Sequence, residues 1–396
     1  MPTEEVVTPF DPLISSPDDP EMERLRAEDG VMRNANGVWF LSRFDDVLAA
    51  TKAIDTFNAS FREPGVVVPD EEQFINEIPE PRHGQIRRII NGAIATHKLG
   101  GVEPFCTTLC NALLDDLLVR DGMVDLVGGY VMPIPTSVIA TLLGAPPEDF
   151  DKWAAWSDEV VQGTYPTKYR SERGEGLAGA HPEFTAYVDD QIAMRRAEPH
   201  DDFISLLLDI DVDGRRLTDV EARTQLVFLL ISGNETTRHL IGNLLWTLAT
   251  TDDLLTTLRD DRSLVDIAIE ESLRHDPPIQ FLMRTCTADT EVRGAQICPH
   301  DKVAFGIASA NRDETVFEDA DSFRLDRSDP RGHLGFGGGP HVCPGAALAR
   351  LEARVAVNVF LDRVSAVRTV EATRYENVPV FWAHGPRELL VVLDSA

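Results

Sequence analysis

The stretch His333-Leu334-Gly335-Phe336-Gly337-Gly338-Gly339-Pro340-His341-Val342-Cys343-Pro344-Gly345 decides how the rest of the chain is read. Its glycines allow a sharply bent backbone that can lie close to something large and flat. One cysteine follows, and the pattern from Ala346 to Asp362 predicts a helix. A thiolate at a helix start is stabilised by unpaired backbone N–H groups and by the positive end of the helix dipole. That arrangement suits a charged sulfur ligand to a metal. A phosphate-binding loop needs Gly-x-Gly-x-x-Gly after a strand, and here Pro340 stands where the last glycine belongs. A zinc site needs more Cys or His partners at short spacing than His341 and Cys343. Thiolate ligation of a haem iron is the third reading.

Composition narrows the class. The chain has 396 residues, 43% of them hydrophobic, ample for a sizeable core. A formal net charge of -29 argues against nucleic acid or an anionic membrane as partner. The start, Met1-Pro2-Thr3-Glu4-Glu5, is acidic, so neither signal peptide nor anchor is expected. The longest purely apolar run, Leu226 to Ile231, is too short to span a bilayer. Cys106, Cys110, Cys286, Cys298 and Cys343 are scattered, as suits reduced thiols in a cytoplasmic protein. One domain over residues 1–396 is expected, with 1–35 as a Pro- and Asp-rich arm carrying a short helix around Pro20–Glu28.

Helices dominate the pattern, with a minor set of strands. Val38 to Leu41 reads as a strand and Asp45 to Ala53 as a helix, while residues 59–80 show no period and read as a long loop. A helix opening at Arg82 carries His83 and Arg87 four apart, suited to a carboxylate or phosphate, or equally to a solvated basic face. Residues 102–196 read as mostly helical, broken around Gly122, Gly144–Pro147 and Gly163–Gly179, and Asp211 to Gly214 reads as a turn.

The clearest helix follows. Thr218 with Glu221 three residues on has the capping-box pattern, and periodicity continues to about Thr250, about 45 Å at 1.5 Å per residue. Its apolar middle is interrupted by Ser232-Gly233-Asn234-Glu235-Thr236-Thr237. Glycine there costs up to about 1 kcal/mol, and an unpaired buried carboxylate costs more. Such a violation marks function, or else a kink with a satisfied acid. A further helix, Leu264 to His275, ends before Pro277-Pro278 and carries Glu271 and Arg274, a spacing usually seen in surface ion pairs. Short strands are expected within 279–308, with Arg284 inside one, and at Val364–Val370 and Leu389–Leu393.

Phe336-x-x-Gly339-x-x-x-Cys343-x-Gly345 resembles the haem-binding signature of the cytochrome P-450 superfamily. Its order after Glu271-x-x-Arg274 and the interrupted helix is similar too. The resemblance covers nearly the whole chain and is to the soluble bacterial type. It implies a mainly α fold with a minor β region, with haem b buried between the long central helix and the Cys-containing loop. Cys343 would then be the axial ligand, with Phe336 packed against the sulfur side and Gly345 beside it. His83, Arg87, Arg284 and His341 match positions that hold the haem propionates. Glu271 and Arg274, with Arg327, would form a structural group beneath the haem.

Glu235 and Thr236 match the acid–alcohol pair that delivers protons, with Gly233 leaving space for dioxygen. Ser232 and Asn234 depart from the usual residues. The substrate pocket would collect the 59–80 loop, Phe228, Ile231, Ile279, Phe281, Leu282, Phe381 and Trp382, so an apolar substrate is expected. Met283-Arg284-Thr285 and Thr287 to Thr290 resemble steroid- and terpenoid-oxidising members. With no flavin or iron–sulfur motif in the chain, electrons would come from a ferredoxin and its reductase, docked on a patch of Arg87, Arg88, Arg350 and Arg354. The expected activity is haem-thiolate monooxygenation. A peroxide-driven or oxidative-coupling enzyme of the same fold, and a non-catalytic haem sensor, stand as alternatives.

Overall fold

A computed structural model describes residues 10–59, 68–96, 101–150, 152–156 and 182–396. In chain order the elements are α1 (Pro20–Ala27), β1 (Val31–Arg33), β2 (Trp39–Leu41), α2 (Phe44–Lys52), β3 (Phe57–Asn58), α3 (Arg82–Thr96), α4 (Val102–Leu118) and β4 (Met123–Asp125). Next come α5 (Pro133–Leu142), α6 (Pro182–Ala197), α7 (Phe203–Asp209), α8 (Asp219–Thr250), α9 (Leu254–Asp260), α10 (Leu264–His275) and β5 (Phe281–Cys286). The series closes with β6 (Thr290–Val292), β7 (Ala295–Ile297), β8 (Lys302–Gly306), α11 (Ala346–Arg363), β9 (Val364–Thr369) and β10 (Leu390–Ser395). Helix dominates, as the pattern predicts. No described helix is long and apolar enough to cross a membrane. Backbone contacts divide the chain into two units.

The first unit holds Met1–Phe61, Leu273–Val342 and Phe381–Ala383. Its five-stranded sheet runs β1-β2-β8-β5-β3, with β2 parallel to β8 and β5 antiparallel to it. Strand alternation sends side chains to opposite faces. Phe40, Phe281 and Ala304 pack with Met22 and Leu25 of α1, whereas Leu41, Val303 and Phe305 pack with Val47 and Ala50 of α2. The arm is therefore more than an arm: α1 lies where expected, and β1 adds an edge strand that three residues of sequence do not announce.

Below the sheet, Arg274 is 1% exposed and donates to the carbonyls of Asn311 (2.9 Å), Ala320 (2.7 Å) and Ser322 (2.9 Å). Arg327 donates to the carbonyls of Glu318, Asp319 and the same Ser322. Asn311 Oδ1 accepts from the Leu334 amide at 2.7 Å, which fixes the start of the glycine-rich stretch.

The second unit holds Arg62–Ser272, Cys343–Val380 and His384–Ala396. Its axis is α8, 32 residues long, starting one residue after its predicted cap. Thr218 Oγ1 accepts from the Glu221 amide at 3.2 Å, and Glu221 Oε2 accepts from the Thr218 amide at 3.1 Å, so both halves of the capping box form. Arg82 adds a bond to Glu221 Oε1 at 2.9 Å, tying α3 to the same corner. Helices α5, α6 and α11 pack along α8, and α11 also packs against α4. A three-stranded sheet, β4-β10-β9, closes the unit; β4 escapes sequence reading because it is three residues long.

Between α11 and α4 lies an acid with no charged partner, Glu352, 2% exposed. Burial, with Cys110 nearby, holds its carboxyl well above the usual carboxylate range. Tyr130 Oη donates to the Ala356 carbonyl at 2.7 Å and pins the same helix.

Thr218→Ala removes the side-chain acceptor of the cap and should cost about 1 kcal/mol. In denaturant unfolding the midpoint should fall with the slope unchanged.

Candidate functional site

The glycine-rich stretch turns at Gly337, whose φ of 72° suits a residue without a Cβ and whose amide donates to the Leu334 carbonyl at 2.7 Å. A short 3-10 turn, Gly339–His341, follows. Cys343 comes two residues later, three before α11, with an exposed side chain. Although the side chain is exposed, the density of protein packed around the sulfur pushes its thiol up. The Gly345 amide, the Arg87 and Arg350 guanidinium charges and the Ala346 amide act in the opposite sense. These groups favour a thiolate, and a metal ion that displaces the thiol proton completes the change.

Among the described residues no group of three or more His, Cys, Asp or Glu side chains could hold a metal ion. A metal on Cys343 must bring its other ligands with it, as iron in a macrocycle does. The residues fit haem.

Arg87 lies on α3, where burial lowers its pKa and the Cys343 sulfur acts against that. One turn earlier, His83 is 2% exposed, and its Nδ1 shares a hydrogen bond with Glu80 Oε1 at 2.8 Å. A solvated basic face is thereby set aside for this pair. Glu80 escaped sequence reading, because it stands before the helix begins.

The middle of α8 shows one open face. Leu226, Val227, Leu230, Leu240 and Ile241 are buried, whereas Ser232 is exposed and Phe228 and Thr236 are half-buried. Phe228, Ser232 and Thr236 are spaced by four and share a side of the helix. The Thr236 hydroxyl donates to the Ser232 carbonyl at 3.0 Å, and Phe228 stacks on Phe74 with ring centroids 5.1 Å apart. Asn234 is buried on another face and accepts from the Thr136 hydroxyl of α5 at 2.8 Å. Gly233 also has a packing reason: a Cβ there would meet Ile139 Cδ1 of α5 at 3.3 Å. Close helix packing is what this contact assigns to it.

Glu235 is 1% exposed. His239 Nε2 lies 2.9 Å from its Oε1, and Arg238 Nη2 donates to the same oxygen at 2.5 Å. Oε2 is buried and has no hydrogen-bond partner among the described residues. Burial raises the carboxyl pKa, but the His239 hydrogen bond and the neighbouring positive charge outweigh it, leaving Glu235 below the usual carboxylate range. Burial depresses His239 more than Glu235 raises it, so the imidazole is neutral near pH 7 and Arg238 supplies the charge. Sequence reading missed both partners, although their spacing of three and four from Glu235 places them on its side of a helix.

In the first unit, Arg284 donates to the Met283 carbonyl at 2.8 Å and lies over the Phe305 ring, 5.5 Å from its centroid. Phe336 is half-buried with its ring centroid 6.4 Å from that of His333, and His341 is half-buried. Phe281 is 3% exposed and packs in the sheet core with Phe40 and Ala304. Leu282 packs against the opposite core. Ile279 pairs with Ala383 in an isolated bridge, the Gln280 amide donates to the Trp382 carbonyl at 2.8 Å, and Phe381 is 45% exposed beside Phe281. The side chain of Ile231 and residues 60–67 of the 59–80 loop lie outside the described residues.

Three arginines of the expected docking patch are paired with acids. Arg88 meets Asp213 at 2.7 Å, Arg350 is bidentate on Glu270 at 2.6 and 2.8 Å, and Arg354 meets Asp266 at 3.6 Å. The acidic composition supplies counter-charges locally, so the patch is largely neutralised.

The chain matches the family model described as Cytochrome P450 over residues 177–369. A steroid C26-monooxygenase of Mycolicibacterium smegmatis is 32% identical over 375 residues, covering 94% of this chain and 92% of that protein. An erythromycin C-12 hydroxylase of Saccharopolyspora erythraea is 32% identical over 379 residues, 92% of this chain and 94% of that one. A cytochrome P450 of Bacillus megaterium, solved in complex with testosterone, superposes with a TM-score of 0.83 at 29% identity, over 96% of this chain and 99% of that structure.

Because the folded pKa of Glu235 lies below its unfolded value, its ionised form contributes stability above the unfolded pKa, about 4.3, and that contribution is lost as pH falls through the folded pKa. Glu235→Gln should therefore be less stable than wild type at pH 7, with the gap closing in acid unfolding followed by circular dichroism.

Proposed function

Because the chain belongs to the cytochrome P450 family, we propose that Cys343 is the axial ligand of its haem b and that Glu235 and Thr236 bring protons to the opposite side. The protein is a monooxygenase that hydroxylates a small molecule. When bound, haem b supplies the activation of dioxygen, one atom of which enters the substrate while the other leaves as water.

The observation that carries the reading is an exposed thiol at the start of α11, supported by two amides and two arginine charges, with no further ligand cluster among the described residues. His83, Arg87, Arg284 and His341 are the donors proposed for the propionates, since carboxylates entering a low-dielectric site need charged hydrogen-bond donors. Phe336 and Gly345 flank the sulfur side in this reading. Thr236 can turn its hydroxyl from the Ser232 carbonyl toward the open face of α8. Glu235, ionised at rest, is ready to accept a proton and pass it on.

For the substrate we favour a rigid, largely apolar ring system of steroid type. Phe228 offers an aromatic surface beside Thr236, Ile279 and Leu282 are apolar, and two of the similar proteins act on or bind steroids by their descriptions. The erythromycin hydroxylase supports a macrolide as the second reading. The family takes its electrons from redox partners, and a ferredoxin with its reductase is the donor proposed here, because the chain carries no flavin or iron–sulfur motif of its own. With its arginines paired, the Cys343 side should show only a shallow salt dependence of electron transfer.

Three outcomes check this. The reduced, carbon monoxide-bound protein should show a strongly red-shifted Soret band that Cys343→Ala abolishes. Thr236→Ala should divert reductant into peroxide, and unchanged coupling would remove Thr236 from the mechanism. Titration with testosterone should shift the iron spin state; a shift with erythromycin alone would move the assignment to macrolides.

A further inference from the structure

We propose that His239 is a proton-relay residue, linking Glu235 to a surface entry formed by Tyr375 and His384. This rests on the assignment of Glu235 as the site acid and adds the path by which it is refilled.

Glu235, His239 and Asn243 stand on successive turns of one face of α8. His239 holds Glu235 Oε1 through Nε2 at 2.9 Å. The other edge of its ring faces Gly385, so closely that a Cβ on residue 385 would overlap Nδ1. The residue before that glycine is His384, whose carbonyl accepts from Asn243 Nδ2 at 3.0 Å. His384 Nε2 and Tyr375 Oη share a hydrogen bond of 3.0 Å, and the two rings stack with centroids 5.3 Å apart.

Exposure rises along this row, from Glu235 at 1% and His239 at 2% to Tyr375 at 37%. It thus runs from a sealed carboxylate toward solvent, with the Gly385 backbone standing between the His239 ring and the Tyr375–His384 pair. At the inner end Oε2 is buried with no hydrogen-bond partner among the described residues, leaving an acceptor open beyond the one that His239 and Arg238 occupy.

An imidazole is suited to this place because it can take a proton at one nitrogen and give one up at the other. A proton arriving from the Tyr375 end binds Nδ1, and the Nε2 proton passes to Glu235 Oε1. The ring is left neutral with its proton on Nδ1, and a ring flip or exchange with solvent restores the starting tautomer. No net charge accumulates on the ring. The charged and titratable groups facing His239 are Glu235 and Arg238 on α8 and His384 on the C-terminal segment. With Arg238 charged, Glu235 ionised and His239 neutral, the row is set to move a proton inward.

The test uses the haem-loaded protein with NADPH, a plant-type ferredoxin and its reductase, with no substrate added, in H2O and D2O. Oxygen uptake and its division between water and peroxide are measured. His239→Phe should slow uptake by about tenfold, enlarge the solvent isotope effect and shift the division toward peroxide. Tyr375→Phe should act in the same direction by less, and the double variant should match His239→Phe alone, as steps on one path do.

Independently of turnover, nitrogen NMR of the reduced carbon monoxide complex should show His239 neutral and protonated at Nε2 at pH 7; a charged ring would overturn the relay. If His239→Phe does not assemble, His239→Asn carries the same expectations. Wild-type division and isotope effect in the His239 variant that assembles sink the proposal. Absent oxygen uptake in the unmodified protein would sink the oxygenase reading instead, and this inference with it.

Discussion

A carboxylate 1% exposed in the middle of a helix is the constraint around which the second unit is built. Stripped of water, Glu235 would be neutral or would unfold its surroundings unless charge and hydrogen bonds were returned to it. Arg238 and His239 return them from the next turn of the same helix, so the compensation needs no other element to arrive in register. That self-sufficiency has a cost elsewhere: α8 must be held straight and continuous through an unfavourable hexapeptide. The reciprocal cap at Thr218 and Glu221, with Arg82 on the same carboxylate, secures one end. Close packing of Gly233 and Asn234 on α5 secures the middle.

The two buried acids of this unit show how environment decides chemistry. Glu235 has a guanidinium within hydrogen-bond reach and stays ionised. Glu352 is buried beside the Cys106 and Cys110 thiols, which holds its carboxyl well above the usual range. One residue type thus provides a carboxyl of lowered pKa in the candidate site and one of raised pKa in the scaffold. Arg274 and Arg327 solve the opposite problem in the first unit. Their charges are met by rows of backbone carbonyls, which makes them organisers of an irregular segment that has little secondary structure of its own.

Much of this was legible in the residues. The capping box placed α8 to within a residue, and the hexapeptide within it marked the acid because it broke the apolar pattern. Cys343 was legible because a lone thiol before a helix has few uses. What was not legible follows from physics that is non-local or short-range. Strands of three residues, β1 and β4, carry no readable period and exist only through their partners. The ion pairs of the arginines Arg88, Arg350 and Arg354 were not legible, because their partners Asp213, Glu270 and Asp266 are distant from them in sequence. The packing of Phe281 with α1 was not legible, because alternation alone does not tell which face of a strand meets a second core. His239 was overlooked for a different reason. Its spacing was in plain view, but a histidine on an apolar helix face is ordinary until the carboxylate beside it is known to be buried.

The open face of α8 has a further consequence. Phe228, Ser232 and Thr236 project from a rod whose other sides are already committed: one to its cap, one to α5, one to the Glu235 cluster. Exposed Ser232 makes little contact that the fold depends on, so exchanging it for a larger or smaller residue re-lines that side at small thermodynamic cost. Thr236 and Glu235 are shielded from such exchanges by being on different turns. The side of α8 at Ser232 can therefore vary in a lineage at little cost to the fold, one helical step away from the buried Glu235 cluster.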